Sequence, residues 1–236
     1  MNLAELKKQV YDCNLELVRR GLVIYTWGNV SAIDRGNGLV VIKPKGIEYD
    51  LLTADDMAVT DLDGNLVEGS LLPSVDLDIH LELYKKFPNA GGIAHTHSTW
   101  ATAWAQAGVD IPVMGTTHAD HFYGPIPCVR QLSREEVEHD YERNLGRVIV
   151  ERFEAIDPAS MCAVLAPGHG PFTWGRSPEE AVEHSVILEE LARMAKLSAD
   201  INGGKAPVLP EYMAEKHYMR KFGPEAYFYQ NLLYLP

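Results

Sequence analysis

The spacing of apolar residues predicts helices along much of the chain. From Leu3, apolar side chains recur every three or four positions, and Gly21 stands where a helix C-cap belongs. Ser177 and Glu180 match a capping box, which predicts the start of a long helix that runs to Lys196. The same spacing predicts further helices at residues 76–87, 98–107, 134–154 and 211–221.

Short runs of β-branched and aliphatic residues predict strands. Clusters of Gly, Asn and Asp at 34–38 and 63–65 predict hairpin turns between the first of them. The predicted fold class is therefore α/β, with helices on a mixed, mainly antiparallel central sheet. No repeat or Ser- or Gly-rich linker interrupts the pattern, so residues 1–236 are expected to form a single domain. The predicted strands span residues 22–25, 39–42, 57–62, 91–96 and 161–165.

Composition and charge narrow the range of partners. The chain carries 21 Lys and Arg against 33 Asp and Glu, a formal net charge of −12, so its field repels a phosphate backbone and nucleic acid is not an expected partner. No apolar run approaches the length that a membrane span needs, and no secretory signal follows Met1. The 3 cysteines lack C-x-x-C spacing and are expected to be reduced thiols, which is typical of cytoplasmic proteins.

Three histidines form the candidate metal centre. His95 and His97 lie two positions apart at the end of a predicted strand, and side chains at that spacing project from one face. An isolated pair of this kind can also be a polar strand end, and metallo-hydrolases and cupins share the spacing. His169, on a Gly-flanked turn after another strand, supplies a third imidazole. Three neutral nitrogens leave a coordination position open, which favours catalytic Zn²⁺, with Mn²⁺, Co²⁺ or Fe²⁺ as alternatives and Asp76 as a weaker fourth ligand.

Short motifs along the chain resemble those of the class II aldolase family, in the same order. The resemblance runs from about residue 5 to Gln230. Within the family, the chain is most similar to the epimerases of pentulose phosphates, since Asp76 stands where the sugar-phosphate aldolases tend to carry Glu. The motifs are TWGNVS (26–31), KPKG (43–46), PSVD (73–76), HTHS (95–98), GTTHAD (115–120) and HGPFTWG (169–175).

This resemblance implies a fold, an assembly and a reaction. The fold is an α/β/α sandwich, and the assembly is a homotetramer with active sites at subunit interfaces. The reaction is metal-dependent inversion of C4 in a ketopentose phosphate, from L-ribulose 5-phosphate to D-xylulose 5-phosphate, by retro-aldol cleavage and recombination. The ion polarises the C2 carbonyl and stabilises the enediolate formed when the C3–C4 bond breaks. The alternatives are an aldolase or epimerase of a different or non-phosphorylated ketose, and a non-catalytic adducin-like scaffold, against which the complete histidine set argues.

The resemblance also implies roles for individual residues. Asp120 is one of two groups that exchange protons with the released aldehyde, a C-terminal tyrosine of the neighbouring subunit is the other, and His217 lies nearby. Taken alone, Asp120 would more often cap a turn. The positions assigned to substrate binding, several on turns whose N–H groups can meet a phosphate, are Asn29, Lys43, Lys45, Gly46 and Ser74.

The chain departs from the epimerase pattern in the anion pocket and at the C-terminus. Lys45 and Val75 stand where the family has serine hydroxyls. A phosphorylated substrate is expected if Lys45 points inward, and a free sugar or a smaller anion if it points outward. The position of the catalytic tyrosine is occupied by Phe228, which cannot transfer a proton. A one-residue slip of the tail predicts Tyr229 as its replacement, in preference to Tyr227.

Overall fold

The computed structural model describes residues 2–227, which form helices on both faces of a central sheet. The strands are β1 (Gly28–Asp34), β2 (Leu39–Ile42), β3 (Ala58–Asp61), β4 (Leu66–Glu68), β5 (Gly92–Thr96), β6 (Ala163–Ala166) and β7 (Gly170–Gly175). The helices are α1 (Leu3–Arg19), α2 (Leu77–Lys86), α3 (Thr99–Ala107), α4 (Thr116–Ala119), α5 (Arg134–Glu138), α6 (Tyr141–Arg152), α7 (Pro178–Ile201) and α8 (Glu211–Phe222). Short 3-10 turns lie at Tyr49–Leu51 and Ala54–Asp56.

The sheet has the order β4-β3-β2-β1-β5-β7-β6, and each neighbouring pair is antiparallel. The β1–β5 pairing sets Asn29 opposite His95, and the β5–β7 pairing sets His95 opposite Phe172. The center of the sheet therefore fixes the backbone around the first candidate ligand. The predicted α/β class with a mainly antiparallel sheet is confirmed.

The alternating side chains of β1 show how the two helical layers are attached. Val30 joins an apolar cluster with Leu17 of α1 and Val182 of α7 on one face. Ser31 points to the other face, where its hydroxyl hydrogen-bonds to His80 Nδ1 at 2.7 Å and to the Tyr84 hydroxyl at 2.8 Å, both on α2. Helix α6 packs on α2 in that second layer. The expected α/β/α sandwich is confirmed.

The prediction of a strand at residues 22–25 is wrong, because Leu22 belongs to the capping turn that follows helix α1 and the next residues form a loop. Gly21 is left-handed at φ 69°, its N–H bonds to the Val18 carbonyl, and the Leu22 N–H bonds to the Leu17 carbonyl. This is the Schellman arrangement, in which the residue after the glycine packs back on the helix. Leu22 is accordingly buried with Leu17, so its apolar character comes from capping the helix and not from a strand.

The single helix predicted at residues 134–154 is also wrong, since the structure has two helices there. Asp140 is left-handed at φ 56° and separates α5 from α6. The Asn144 side-chain amide donates to the His139 and Glu136 carbonyls, which satisfies acceptors at the end of α5. The break places Tyr141 at the first position of α6.

Other predicted elements agree with the structure to within a few residues, with two kinds of difference. The pattern does not predict the one-turn helix α4 or the strands β1, β4 and β7, because these elements are short, polar or rich in Gly and Pro. Helix α7 begins as predicted, with the Ser177 side chain accepting from the Glu180 N–H, but it extends to Ile201. The Glu180 carboxylate accepts from the Arg176 N–H instead of completing the capping box. Across residues 2–227, every helix is too short or too polar to traverse a bilayer.

Candidate metal centre and active site

The three predicted histidine ligands come together at one end of the central strands. His95 is the next-to-last residue of β5, and His97 lies just beyond that strand. His169 lies on the three-residue turn between β6 and β7. One nitrogen from each ring can be chosen so that all lie within 4.8 Å of one another. Strand pairing between β5 and β7 brings together residues that are far apart in the sequence. These histidines could hold a metal ion.

The orientation of His95 is fixed by its surroundings. Its Nδ1 lies 2.9 Å from the Pro171 carbonyl oxygen, which can only accept, so Nδ1 carries the proton and Nε2 carries the lone pair. The ring also stacks on Phe172, with centroids 4.2 Å apart and planes 18° from parallel. His95 Nε2 faces His169 Nε2 at 3.1 Å. Two imidazole nitrogens this close together form part of a donor set suited to a cation.

Burial keeps these imidazoles neutral. It lowers the pKa of His95 to about 3, although the nearby Asp76 carboxylate acts in the opposite direction. The pKa values of His97 and His169 are lowered for the same reason, again against the effect of Asp76. Neutral imidazole is the form that binds metals, so the site is in its ligating state at neutral pH.

The position of His97 depends on the start of helix α3, which follows it closely. His97 is more exposed than His95 as a whole residue, although its ring is partly shielded from water by the cavity, and α3 begins two residues later at Thr99. The Glu189 carboxylate of α7 accepts from the Trp100 and Ala101 N–H groups at 2.8 and 2.9 Å. A carboxylate at a helix N-terminus satisfies free N–H groups and is stabilised by the helix dipole. This contact anchors the segment that follows His97.

Asp76 lies beside the histidines at the start of α2. Its buried Oδ2 accepts from the Asn29 side-chain amide at 2.7 Å, and the Ser74 hydroxyl is 3.4 Å away. Burial acts to raise the pKa of Asp76, but the neighbouring histidines and the Asn29 amide outweigh it, and the pKa is lowered. Asp76 is therefore an anion next to the three histidines. Among residues 2–227, the group of ligand atoms close enough to share one ion consists of the three histidines and does not include the Asp76 carboxylate.

A cavity of about 420 Å³ joins the candidate metal centre to the predicted substrate-binding residues. Its volume falls within the usual range for small-molecule sites. The structure thus brings the predicted ligands and the predicted substrate-binding positions to one place. Of those positions, the cavity is lined by Asn29, Lys43, Lys45, Gly46, Ser74, Asp76, His95, His97 and His169.

Lys43 is a buried cation with no acidic partner in the described part of the chain. Its ammonium donates to the Ile47 carbonyl at 2.7 Å and lies 4.7 Å from the centre of the Tyr49 ring. Burial lowers the pKa of Lys43 to about 8. A buried ammonium is costly unless it is paired, so this residue gives the cavity a preference for an anion.

The remaining polar groups of the cavity differ in how completely they are paired. Asn29 Oδ1 is buried and receives no hydrogen bond from residues 2–227, which leaves an acceptor for a ligand hydroxyl. Lys45 and Val75 are exposed at the rim, and the Lys45 N–H donates to the Leu72 carbonyl. Lys45 therefore lines the cavity as an exposed residue, in contrast to the buried Lys43.

The predicted acid–base residues lie elsewhere on the chain. Asp120 follows α4, and its carboxylate accepts from Arg220 Nε at 3.1 Å and Nη2 at 2.8 Å, with His217 Nδ1 at 3.1 Å. Burial acts to raise the pKa of Asp120, but the hydrogen bonds from Arg220 and His217 outweigh it and lower the pKa. None of the three residues lines the cavity. Phe228 and Tyr229 lie outside the described residues.

Sequence reasoning missed two residues that contact the predicted site. Arg220 lies one turn from His217 on α8, so the shared helix face was a usable signal. The Tyr141 hydroxyl lies 3.1 Å from His169 Nδ1. No local sequence pattern links Tyr141 to His169, because 28 residues separate the two and the break at Asp140 sets the position of Tyr141.

Comparisons with known proteins agree with one another. The model of the class II aldolase and adducin N-terminal domain family matches residues 8–196. The chain is similar to L-ribulose-5-phosphate 4-epimerase UlaF of Salmonella paratyphi A, with 53% identity over 229 residues that cover 97% of this chain and 100% of that protein. The protein of the same name from Salmonella typhi matches with the same identity and coverage. A solved L-fuculose 1-phosphate aldolase superposes with a TM-score of 0.76 and 27% identity, over 92% of this chain and 97% of that chain.

Proposed function

Because this chain belongs to the class II aldolase and adducin N-terminal domain family, we propose that it is a metal-dependent epimerase that converts L-ribulose 5-phosphate to D-xylulose 5-phosphate. The observation that carries the proposal is a single cavity in which three neutral imidazoles stand near a buried lysine that has no acidic partner among residues 2–227. Similarity to proteins named L-ribulose-5-phosphate 4-epimerase supports the choice of substrate. The free cysteines fit a cytoplasmic protein, and residues 1–236 are proposed to form one domain.

His95, His97 and His169 are proposed to hold Zn²⁺, with Mn²⁺ or Co²⁺ as substitutes. The three nitrogen donors and an open position fit the usual catalytic zinc site. When bound, the ion supplies Lewis-acid stabilisation of the negative charge that develops on the C2 oxygen as the C3–C4 bond breaks. Asp76 adds a nearby negative charge, which raises the affinity for a cation and can supply a fourth oxygen.

Lys43, Asn29, Gly46 and Ser74 are proposed to hold the phosphate end of the sugar. The Lys43 ammonium is largely removed from water, so its interaction with a phosphate is stronger than that of a surface lysine. The Asn29 amide already donates to Ser74 and Asp76, which orients it before substrate arrives. Holding the phosphate at one end and the carbonyl at the other fixes the C3–C4 bond between them.

Asp120 is proposed to transfer a proton at the C4 oxygen, in an active site shared between subunits of a homotetramer. Its ionised carboxylate can accept the C4 hydroxyl proton as the C3–C4 bond breaks, which leaves an aldehyde carbon that can be attacked from either face. His217 lies against Asp120, and Tyr229 is the candidate for the second proton-transfer group on the opposite face. The position of Asp120 away from its own cavity supports delivery by a neighbouring copy.

Exposed aromatic residues at the cavity mouth support the same assembly. Tyr25 is 78% exposed and Trp27 52% exposed, and their rings meet edge to face at 6.2 Å. Trp27 also lines the cavity. Large exposed aromatic groups of this kind are typical of surfaces that are covered by a partner.

The direct test is to incubate the protein with L-ribulose 5-phosphate and Zn²⁺ and to follow D-xylulose 5-phosphate. Epimerisation conserves the sugar, so the product should account for all substrate consumed. Release of dihydroxyacetone and glycolaldehyde phosphate would instead identify an aldolase, because cleavage of the C3–C4 bond yields these fragments. No reaction in either direction would reject both.

The second candidate is an epimerase of a free ketose, favoured by the rim position of Lys45 and Val75. The measurement that separates the two is kcat/KM for L-ribulose 5-phosphate and for L-ribulose, in the unchanged protein and in Lys45→Ser. We expect the phosphorylated sugar to be preferred, and Lys45→Ser to change that preference by no more than about tenfold, since an exposed charge contributes about 1 kcal/mol or less. Preference for free L-ribulose, reversed by Lys45→Ser, would identify Lys45 as the specificity switch.

A further inference from the structure

The contact between Tyr141 and His169 is the structural basis of a further inference. His169 has one ring nitrogen, Nε2, aimed at His95, and the other, Nδ1, at the Tyr141 hydroxyl. The phenol ring lies 6.4 Å from the imidazole ring, centre to centre, at 40°. Tyr141 is half-buried and belongs to α6, so it approaches His169 from a different element.

His169 needs such a contact more than His95 does. The ring of His95 is fixed by a strand, by the Pro171 carbonyl and by stacking on Phe172. His169 lies on a turn next to Gly168, which is left-handed at φ 68°. Its ring is 5.8 Å from that of Phe172, compared with 4.2 Å for His95. A ligand on a turn with a looser ring contact depends on its second nitrogen for orientation.

A tyrosine hydroxyl can hydrogen-bond to either tautomer of the neutral His169 ring. When Nε2 donates to His95, Nδ1 carries the lone pair, and the hydroxyl can donate to it. When Nε2 offers its lone pair to an ion, Nδ1 carries the proton, and the hydroxyl oxygen can accept it. The Pro171 carbonyl that serves His95 can only accept. Tyr141 therefore stays bonded to His169 with and without an ion.

We propose that Tyr141 is a positioning residue for the metal centre, whose hydroxyl holds the His169 ring so that Nε2 faces the ion. The inference rests on the metal centre of the proposed function and adds a residue to it. Tyr141 is set at the first position of α6 by the left-handed Asp140. The break between α5 and α6 thus has a role in placing this hydroxyl.

The test measures the affinity of the full chain for Zn²⁺ alone, without sugar. The protein is stripped of metal, and the Kd is determined by competition with a chromophoric chelator, for the unchanged chain and for Tyr141→Phe. This substitution keeps the ring and removes the hydroxyl. Loss of a partner of a ligating histidine typically weakens metal binding about 10- to 100-fold, and we expect that range.

Tyr84→Phe is the matched control, because it also removes a buried hydroxyl that forms a hydrogen bond, on the helix that packs against α6. Its Kd for Zn²⁺ should stay close to that of the unchanged chain. A second readout is ¹⁵N NMR of the zinc-bound histidines, in which the Nδ1 proton of His169 should exchange with water faster in Tyr141→Phe. A merely structural role would not change that proton selectively.

The possible results separate this inference from the proposed function. Weakened zinc binding in Tyr141→Phe and not in Tyr84→Phe supports it, whether or not the protein epimerises L-ribulose 5-phosphate. Equal affinities in the two variants, both weak or both unchanged, would overturn it and leave the metal centre in place. Failure of the unchanged chain to bind Zn²⁺ would overturn the metal centre and this inference together.

Discussion

The histidine cavity and the Asp120 cluster differ in how they are built. The cavity lies at the end of paired central strands, and its first candidate ligand, His95, is buried against the backbone and an aromatic ring. Asp120 follows a one-turn helix, and its partners His217 and Arg220 come from α8, in which no described residue is fully buried. Strand pairing fixes the residues of the cavity, whereas hydrogen bonds and an ion pair to the Asp120 carboxylate connect the residues of the cluster. In the proposed enzyme, each chain therefore forms a metal site by itself but obtains its proton-transfer group from a neighbour.

The largest expected effect is on the cavity side. His97→Ala should abolish tight metal binding and lower turnover of L-ribulose 5-phosphate by about 10³-fold or more, because the ion supplies several kcal/mol of charge stabilisation. Metal content by elemental analysis and kcat by a coupled assay check both. His139→Ala, which removes an exposed histidine at the end of α5, is the control. Unchanged metal content in His97→Ala would show that the ion is bound elsewhere.

Asp120→Asn should have the next largest effect and should leave the ion in place. Loss of a general acid or base lowers kcat about 10²- to 10⁴-fold, while zinc content should equal that of the unchanged chain. Near-normal turnover would show that Asp120 only caps the turn after α4.

Mixing these two inactive variants tests whether the regions meet across a subunit interface. After joint unfolding and refolding, a site that pairs the cavity of Asp120→Asn with the cluster of His97→Ala contains both intact parts. For random assembly around a symmetric ring, about a quarter of sites are of this kind, so about a quarter of normal activity should return. If activity does not return although mixed oligomers are present, both parts belong to one chain.

A smaller effect is expected from the titration of Lys43, on the cavity side alone. Its pKa of about 8 means that the Lys43 amine is protonated and positively charged below this pH and becomes neutral above it. The kcat/KM for L-ribulose 5-phosphate should therefore fall above pH 8, by up to tenfold per pH unit, whereas that for L-ribulose should not fall through this group. Lys43→Met should have a lower kcat/KM throughout and lack this fall. A profile that stays flat to pH 10 would show that Lys43 does not bind the phosphate.

The sequence predicts the histidine ligands because their chemistry has a local signature. His95 and His97 are two positions apart at the end of a strand, and His169 is flanked by glycines after another strand. The order of the motifs also predicts the family and the fold, and both are confirmed. The metal-ligand roles of the three histidines and of Asp76 stay predictions, as do the roles of the substrate-binding residues and of Asp120, His217 and Tyr229.

The features that sequence reasoning missed depend on contacts between distant segments. Strand β7 carries Gly and Pro and forms only because β5 and β6 pair with its two edges. Leu22 is apolar because it caps α1, and residues 134–154 are divided by the conformation of Asp140. No periodic pattern contains this information, so the contact from Tyr141 to His169 becomes visible only in the folded chain.

The pairing of β5 with β7 has a consequence for folding. His95 and His169 are adjacent only when these strands pair in the native register, since a shift by one residue turns a side chain to the opposite face. An unfolded or misregistered chain cannot present the three imidazoles to one ion. If the three histidines hold an ion as proposed, that ion would stabilise the correctly paired sheet selectively, by about 2.7 kcal/mol when the free ion is at 100 times its Kd. Metal supply would then affect the lifetime of the folded protein as well as its turnover.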